Sequence, residues 1–320
     1  MDFVKKVIGA ELQIFEKKFA DAMRSNTPSL DRIMKYIIKR KGKQLRPMFV
    51  FLSARLGGEV NESTYRAAAL VELLHTATLV HDDVVDESME RRGFFSINAI
   101  WKNKIAVLVG DYLLSKGLLL STTHKDFIHL QILSDAVKKM SEGELLQMEK
   151  SRKLNLDEEI YFEIIKNKTA SLLSSACAVG VYSTSKDENI TQQLGLFGEN
   201  TGIAFQIKDD LFDYGKVDVG KPTGNDIKEK KLTLPLIYTI NNTDKKTRSK
   251  IIYIIKNKNR DKESVQFVID KVVEAGGIRY AEEKMNLYRD EAIKILHSFP
   301  VSPVRTAMEE LVRYTTDRKY

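Results

Sequence analysis

Tyr65–Asp86 reads YRAAALVELLHTATLVHDDVVD. From Tyr65 to Val80 it holds neither glycine nor proline, and its apolar residues recur at helical spacing, which predicts one long helix with an acidic end. On that helix Asp82 and Asp86 are i,i+4 neighbours about 6 Å apart, where like charges cost a few tenths of a kcal/mol unless a cation lies between them. The spacing recurs downstream. The apolar run GIAFQI leads into KDDLFD, with Asp209, Asp210 and Asp213 standing as Asp82, Asp83 and Asp86 do. One such cluster is most simply a solvated helix face. Two, each closing an apolar stretch and each followed by basic residues, point to bound metal. Carboxylate-only ligands with room for water and phosphate oxygens suit Mg²⁺ better than zinc.

Outward from these segments the helical pattern continues through Ile160–Val181 and Val265–Val273. The best strand candidate, KLTLPLIYTI, alternates Leu232, Leu234, Leu236 and Tyr238, but Pro235 interrupts it and suits the first turn of a helix. Turn signals fall near Leu56–Gly58, Arg91–Ser96, Arg152–Asp157, Ser183–Glu188, Tyr214–Lys231, Asn241–Lys245 and Ser298–Pro303, with KNKNRDK (residues 256–262) a solvated connection. These spacings imply an all-α bundle of roughly ten or more helices. With only 6 prolines and no Pro/Gly/Ser-rich linker, residues 1–320 read as a single domain.

A composition of 43% hydrophobic and 30% charged residues fits a packed core and excludes disorder. Charges at Lys5, Lys6, Glu11, Glu16, Lys17 and Lys18 break the first thirty residues into an amphipathic helix rather than a signal peptide, and no later run reaches the ~18 uncharged apolar residues of a membrane span. The cytoplasm is the expected compartment. Cys177 is the only cysteine, so an internal disulfide and a thiolate metal cluster are excluded; in SSACAVG it reads as a core residue. A net charge of +7 fits nucleic acid, an anionic membrane or a polyphosphate substrate, but no nucleic-acid-binding module is recognisable.

Basic residues accompany the carboxylates: Lys43 and Arg46 in KGKQLRP, Arg91 and Arg92 in MERRG, Lys168 in NKTAS, Lys221 in GKPTG and Lys231 in KKLTLP. Arginine offers a planar fork and lysine a mobile point charge, a mixture that can hold two separate diphosphates.

Taken in order with GDYLLSKG and FQIKDDLFDYG, these motifs resemble the trans-isoprenyl diphosphate synthases, the family containing farnesyl, geranylgeranyl, heptaprenyl, octaprenyl and solanesyl diphosphate synthases. The resemblance runs from about residue 35 to residue 240. It implies an isoprenoid-synthase-type bundle around a central cavity. It also implies a homodimer and head-to-tail condensation of isopentenyl diphosphate with an allylic diphosphate such as farnesyl or geranyl diphosphate. By the same resemblance Asp82, Asp86 and Asp209 or Asp213 bind Mg²⁺, Asp83 and Asp210 complete the catalytic clusters, and Arg91, Lys168, Thr169, Gln206, Lys221 and Lys231 contact the allylic diphosphate. Lys43, Arg46, His75 and Arg92 match the positions that hold isopentenyl diphosphate; outside that context His75 would read as a packed core histidine. Two departures stand out: Lys41-Gly42 where the family usually has a glycine pair, and Phe94-Phe95-Ser96 where it usually has a Pro-Thr turn.

Counting back along the helix from Asp82, Thr78 and Ala77 lie one turn below, followed by Leu74 and Val71. Short-chain relatives close this shaft with an aromatic residue. Here it is left open, which by resemblance implies a long all-trans product, a quinone side-chain precursor released with peripheral membrane contact. A shorter-chain synthase making geranylgeranyl or farnesyl diphosphate, and a class I terpene cyclase, are the alternatives.

Overall fold

The structure is a computed structural model that describes all residues except 41, 92, 154–156, 216–223 and 319–320, and excludes the side chains of Arg91 and Lys153. It is all-α, as the periodicity predicts. In chain order the helices are α1 (Asp2–Ala22), α2 (Pro28–Lys39), α3 (Leu45–Gly57), α4 (Glu62–Val85), α5 (Ile97–Thr123), α6 (Phe127–Lys153), α7 (Glu158–Ile165), α8 (Ser171–Ser185), α9 (Glu188–Phe212), α10 (Asn225–Lys228), α11 (Leu234–Asn241), α12 (Lys245–Asn257), α13 (Lys262–Glu274), α14 (Gly277–Leu296) and α15 (Pro303–Asp317).

Local chemistry sets the boundaries. Asn61 caps α4 by accepting from Ser63 N and Thr64 N, while Thr64 Oγ1 accepts from Asn61 N, a reciprocal capping box. The Asp244 side chain caps α12 by accepting from Lys246 N and Thr247 N, and the Asp261 side chain caps α13 by accepting from Ser264 N, which ends KNKNRDK as the expected connection. Pro235 sits in the first turn of α11, where its missing N–H removes no helical bond, so the strand-like alternation of KLTLPLIYTI resolves as a helix. The segment Arg91–Ser96 is not a plain loop: Glu90–Arg91 (β1) pairs antiparallel with Phe94–Phe95 (β2) around Gly93 at φ +75°. Two-residue strands leave no alternation for a sequence pattern to show.

The described chain divides into two compact units. The first comprises residues 1–137, 175–195 and 302–308; the second comprises residues 138–174, 196–301 and 309–320. In the first, α4 and α5 pack extensively against each other, and Leu73, Ala77, Val80, Ala106, Val109 and Leu113 share a core cluster with Met34 of α2. Cys177 is fully buried and its thiol is pushed up to about 12 by burial, which makes it the inert core residue expected. Among the described residues α5 is long and apolar enough, by length and composition, to cross a membrane, although Lys102, Lys104, Asp111 and Lys116 interrupt it. Two clusters stand out among the described residues of the second unit. One joins Tyr161, Ile165 and Ala170 to Ile203, Ile207 and Leu211 of α9; the other gathers Tyr214 and Ile227 with the apolar faces of α11, α12 and α13.

Candidate active site

In the second unit, Ile203, Ala204, Ile207 and Leu211 hold α9 in the core. Gln206, Asp209, Asp210 and Asp213 line a cavity of about 550 Å³. The aspartates fall at the C-terminal end of α9, where the helix dipole already supplies partial negative charge. Three carboxylates there oppose one another and the dipole.

Between α7 and α8 the chain makes one π-helical turn, Lys166–Ala170, in which Ser171 N–H bonds Lys166 O five residues back. Glycines let two neighbouring helices approach it. A Cβ on Gly143 of α6 would lie 2.9 Å from Lys168 N, and one on Gly202 of α9 would lie 2.6 Å from Ala170 Cα. Such turns concentrate at functional sites, and this one brings Lys168 and Thr169 to the cavity wall. Thr169 Oγ1 donates to Gln206 Oε1 at 2.8 Å, Gln206 Nε2 donates to Asp210 Oδ1 at 2.9 Å, and Tyr161 OH donates to Asp210 Oδ2 at 2.7 Å.

Burial, reinforced by the charges of Asp226 and Asp209, pushes the Asp210 carboxyl up to about 7 despite these two donors. Asp213 is also raised, by burial first, and its oxygens accept from Asn225 N at 2.7 Å and Asp226 N at 3.1 Å, so it anchors α10. Asp209 is the most open of the three, with its side chain 39% exposed, and it accepts from the Arg318 guanidinium.

Two lysines on this wall are held by carboxylates. Lys168 Nζ lies 2.5 Å from Glu144 and donates to Gln147 Oε1 at 3.0 Å; Lys231 Nζ lies 2.5 Å from Glu229. Asp157, Asp209, Asp210, Asp213, Asp226 and Glu229 outnumber Lys150, Lys168, Lys231 and Arg318 around the cavity. Such a lining repels a diphosphate unless cations enter with it. Among the described residues no three or more Asp, Glu, His or Cys side chains converge on one ion. The donor set fits a hard divalent cation that takes one or two carboxylates and fills its remaining positions with water and phosphate oxygens.

The first cluster, in the first unit, ends α4. Asp82 is half-buried, Asp83 is buried at 4%, and Asp86 is exposed just beyond the helix, its N–H bonded to Asp82 O at 2.8 Å. Asn98 Nδ2 and Ser88 N both donate to Asp83 O and fix this turn. The preceding residue, His81, places Nε2 3.2 Å from Val107 O in space that Gly110 leaves, where a Cβ would lie 2.1 Å from that nitrogen. The glycine of GDYLLSKG therefore seats the approach to the acidic turn.

In the same unit Lys43 is exposed, Arg46 is half-buried at the start of α3, and His75 is buried on α4. Ala77 is fully buried in the α2–α4–α5 cluster. Thr78 is half-buried and donates to His75 O at 2.9 Å, and Leu74 faces Gly117 of α5. Arg92 and Lys221 lie outside the described residues, as does the Arg91 side chain.

Seven of the sequence-predicted residues meet at the second-unit cavity: Lys168, Thr169, Gln206, Asp209, Asp210, Asp213 and Lys231. Sequence reasoning missed Gln147, Tyr161, Asp226 and Arg318. A signal existed for the first of these, because Gly143, Gln147 and Lys150 recur at i, i+4, i+7 on α6. None existed for Arg318, which lies 109 positions from its partner.

Residues 27–272 match the sequence profile of the family described as polyprenyl synthetase. The all-trans-nonaprenyl-diphosphate synthase (geranyl-diphosphate specific) of Rhodobacter capsulatus is 34% identical over 99% of each chain. Among solved structures, a polyprenyl synthase from Caulobacter crescentus complexed with calcium and isoprenyl diphosphate superposes with a TM-score of 0.92 at 33% identity, covering 100% of this chain and 98% of that one. A geranylgeranyl pyrophosphate synthase from Bacteroides thetaiotaomicron superposes with a TM-score of 0.85 at 36% identity, covering 99% and 98%.

Proposed function

The chain belongs to the polyprenyl synthetase family and is a prenyltransferase, and on that premise we propose that it condenses isopentenyl diphosphate head-to-tail with an allylic diphosphate to make a long-chain all-trans polyprenyl diphosphate, a quinone side-chain precursor. The observation that carries the chemistry is the second-unit cavity, whose carboxylates outnumber its cations and end a helix at its negative pole. That lining takes a diphosphate only together with divalent metal. The calcium in the Caulobacter relative supports a divalent ion, and the carboxylate donors favour Mg²⁺.

Asp82 and Asp86 in the first unit and, separately, Asp209 in the second would hold Mg²⁺, which when bound neutralises the charge gathering on the leaving diphosphate. Lys168, Thr169, Gln206 and Lys231, with Arg91 and Lys221, orient the allylic diphosphate, and Lys43, Arg46, His75 and Arg92 hold isopentenyl diphosphate. The allylic C–O bond breaks with its electron pair leaving on the diphosphate. The isopentenyl double bond then forms the new C–C bond, and a proton is lost to the departing diphosphate. Two side chains on the cavity wall are poor acceptors for that proton: Asp209 is paired with Arg318, and Tyr161 is held well above its ordinary pKa by burial. Apolar helix faces exclude water while the allylic cation exists.

Small residues at Ala77 and Thr78 support the long product, as does the nonaprenyl relative. The Bacteroides structure supports the second reading, a geranylgeranyl product. Exposed Ile105, Leu108, Leu118 and Leu119 on α5 suit burial against a second copy of the chain, and a cytoplasmic enzyme making so apolar a product would release it at a membrane surface. Incubating the purified chain with farnesyl diphosphate, labelled isopentenyl diphosphate and Mg²⁺ tests the reading. Label extracted with a long-chain alcohol after phosphatase treatment supports it, and label remaining in isopentenyl diphosphate refutes it.

A further inference from the structure

The C-terminal end of the described chain delivers a cation to the second aspartate cluster. Arg318, the residue after α15, donates through Nη2 to Asp209 Oδ1. Its guanidinium carbon lies 4.3 Å from the ring centroid of Phe205 and 5.3 Å from that of Phe212, the two aromatic residues that bracket Asp209 on α9. The group therefore stacks against the helix that carries its partner. The fit is incomplete, because Arg318 Nε is buried and has no acceptor among the described residues. The Asp209 side chain stays 39% exposed, open to an ion arriving from solvent. A single charge on a partly satisfied donor is a weaker partner for that carboxylate than a dication.

We propose that Arg318 is a latch on the metal seat: in the metal-free protein its guanidinium occupies the place of a divalent cation at Asp209, and the ion binds by displacing it. The proposal rests on the reading of Asp209 as a metal ligand. Two sites on one carboxylate that exclude each other are negatively coupled, so removing the internal competitor strengthens binding of the external one.

The test is a calorimetric titration of the full chain with Mg²⁺ alone, no substrate present, for wild type, Arg318→Met, Arg318→Gln and Asp209→Asn. Methionine keeps apolar contact with Phe205 and Phe212, and glutamine keeps polarity without charge, so the pair remains informative if one variant folds poorly. Roughly tenfold tighter Mg²⁺ binding in the Arg318 variants is expected, within the usual range of coupling between sites, together with loss of that binding event in Asp209→Asn. Unchanged or weaker binding in both Arg318 variants, with the event still lost in Asp209→Asn, overturns the latch alone. Wild-type binding in Asp209→Asn overturns the metal seat itself.

Discussion

Asp210 is the residue whose environment makes the sharpest claim. Its folded pKa, pushed from 3.8 up to about 7, lies above the unfolded value, so the folded chain binds the extra proton. The stability this contributes is fully present below about pH 4 and is lost as pH rises through 7. Relative to Asp210→Asn, metal-free wild type should therefore lose on the order of 1–4 kcal/mol between pH 5 and pH 8, read as a Tm difference between the two proteins that moves against wild type as pH rises. A Tm difference that stays constant across this window would contradict the burial argument. Asp209→Asn removes the most open carboxylate of the cluster and should lower kcat by at least ~100-fold with the far-ultraviolet spectrum intact, a loss typical of removing one electrostatic stabiliser; near-normal kcat would clear Asp209 of any role. The spacing of the aspartates was legible because i,i+4 repulsion has few purposes on a helix. Their inequality was not. Nothing local says that Asp213 spends its oxygens on the N–H groups of Asn225 and Asp226 while Asp209 stays open.

At the scale of elements, the sequence read most clearly where propensity and packing agree. The glycine- and proline-free run before His81 became α4, and Pro235 marked the start of α11. The π-helical turn was illegible, since Lys166–Ala170 has ordinary helical residues and the cause lies in Gly143 and Gly202 on other helices. Gly202→Val should force those backbones apart, costing about 1–3 kcal/mol and raising KM for the allylic substrate as Lys168 and Thr169 shift; a wild-type Tm and KM would show that the close approach does not matter. The shaft along α4 makes a second prediction here. Ala77 is fully enclosed by the α2–α4–α5 cluster, so Ala77→Phe should overpack that core and lower Tm, whereas Thr78 is only half-buried. Thr78→Phe should shorten the product with Tm nearly unchanged. An active Thr78→Phe enzyme with an unaltered product would place the shaft elsewhere.

For the whole molecule, the sequence specified the class of fold and the ordered motifs, because an all-helical chain closes its backbone hydrogen bonds within each segment and leaves its apolar faces to show the packing. The cavity depends on long-range placement. Tyr161, Asp226 and Arg318 reach it from elements that share no local pattern with α9. Chelation at this scale should abolish turnover while the helices persist, because the charge set of the cavity, and not the core, depends on the ion. The central claim is elongation of a prenyl chain, and the direct measurement is the size of the product formed by the purified full chain from farnesyl diphosphate, labelled isopentenyl diphosphate and Mg²⁺. The account predicts labelled all-trans polyprenyl diphosphates between hexaprenyl and nonaprenyl. Diphosphate release from farnesyl diphosphate without incorporation of isopentenyl label, the signature of a cyclase, would contradict it.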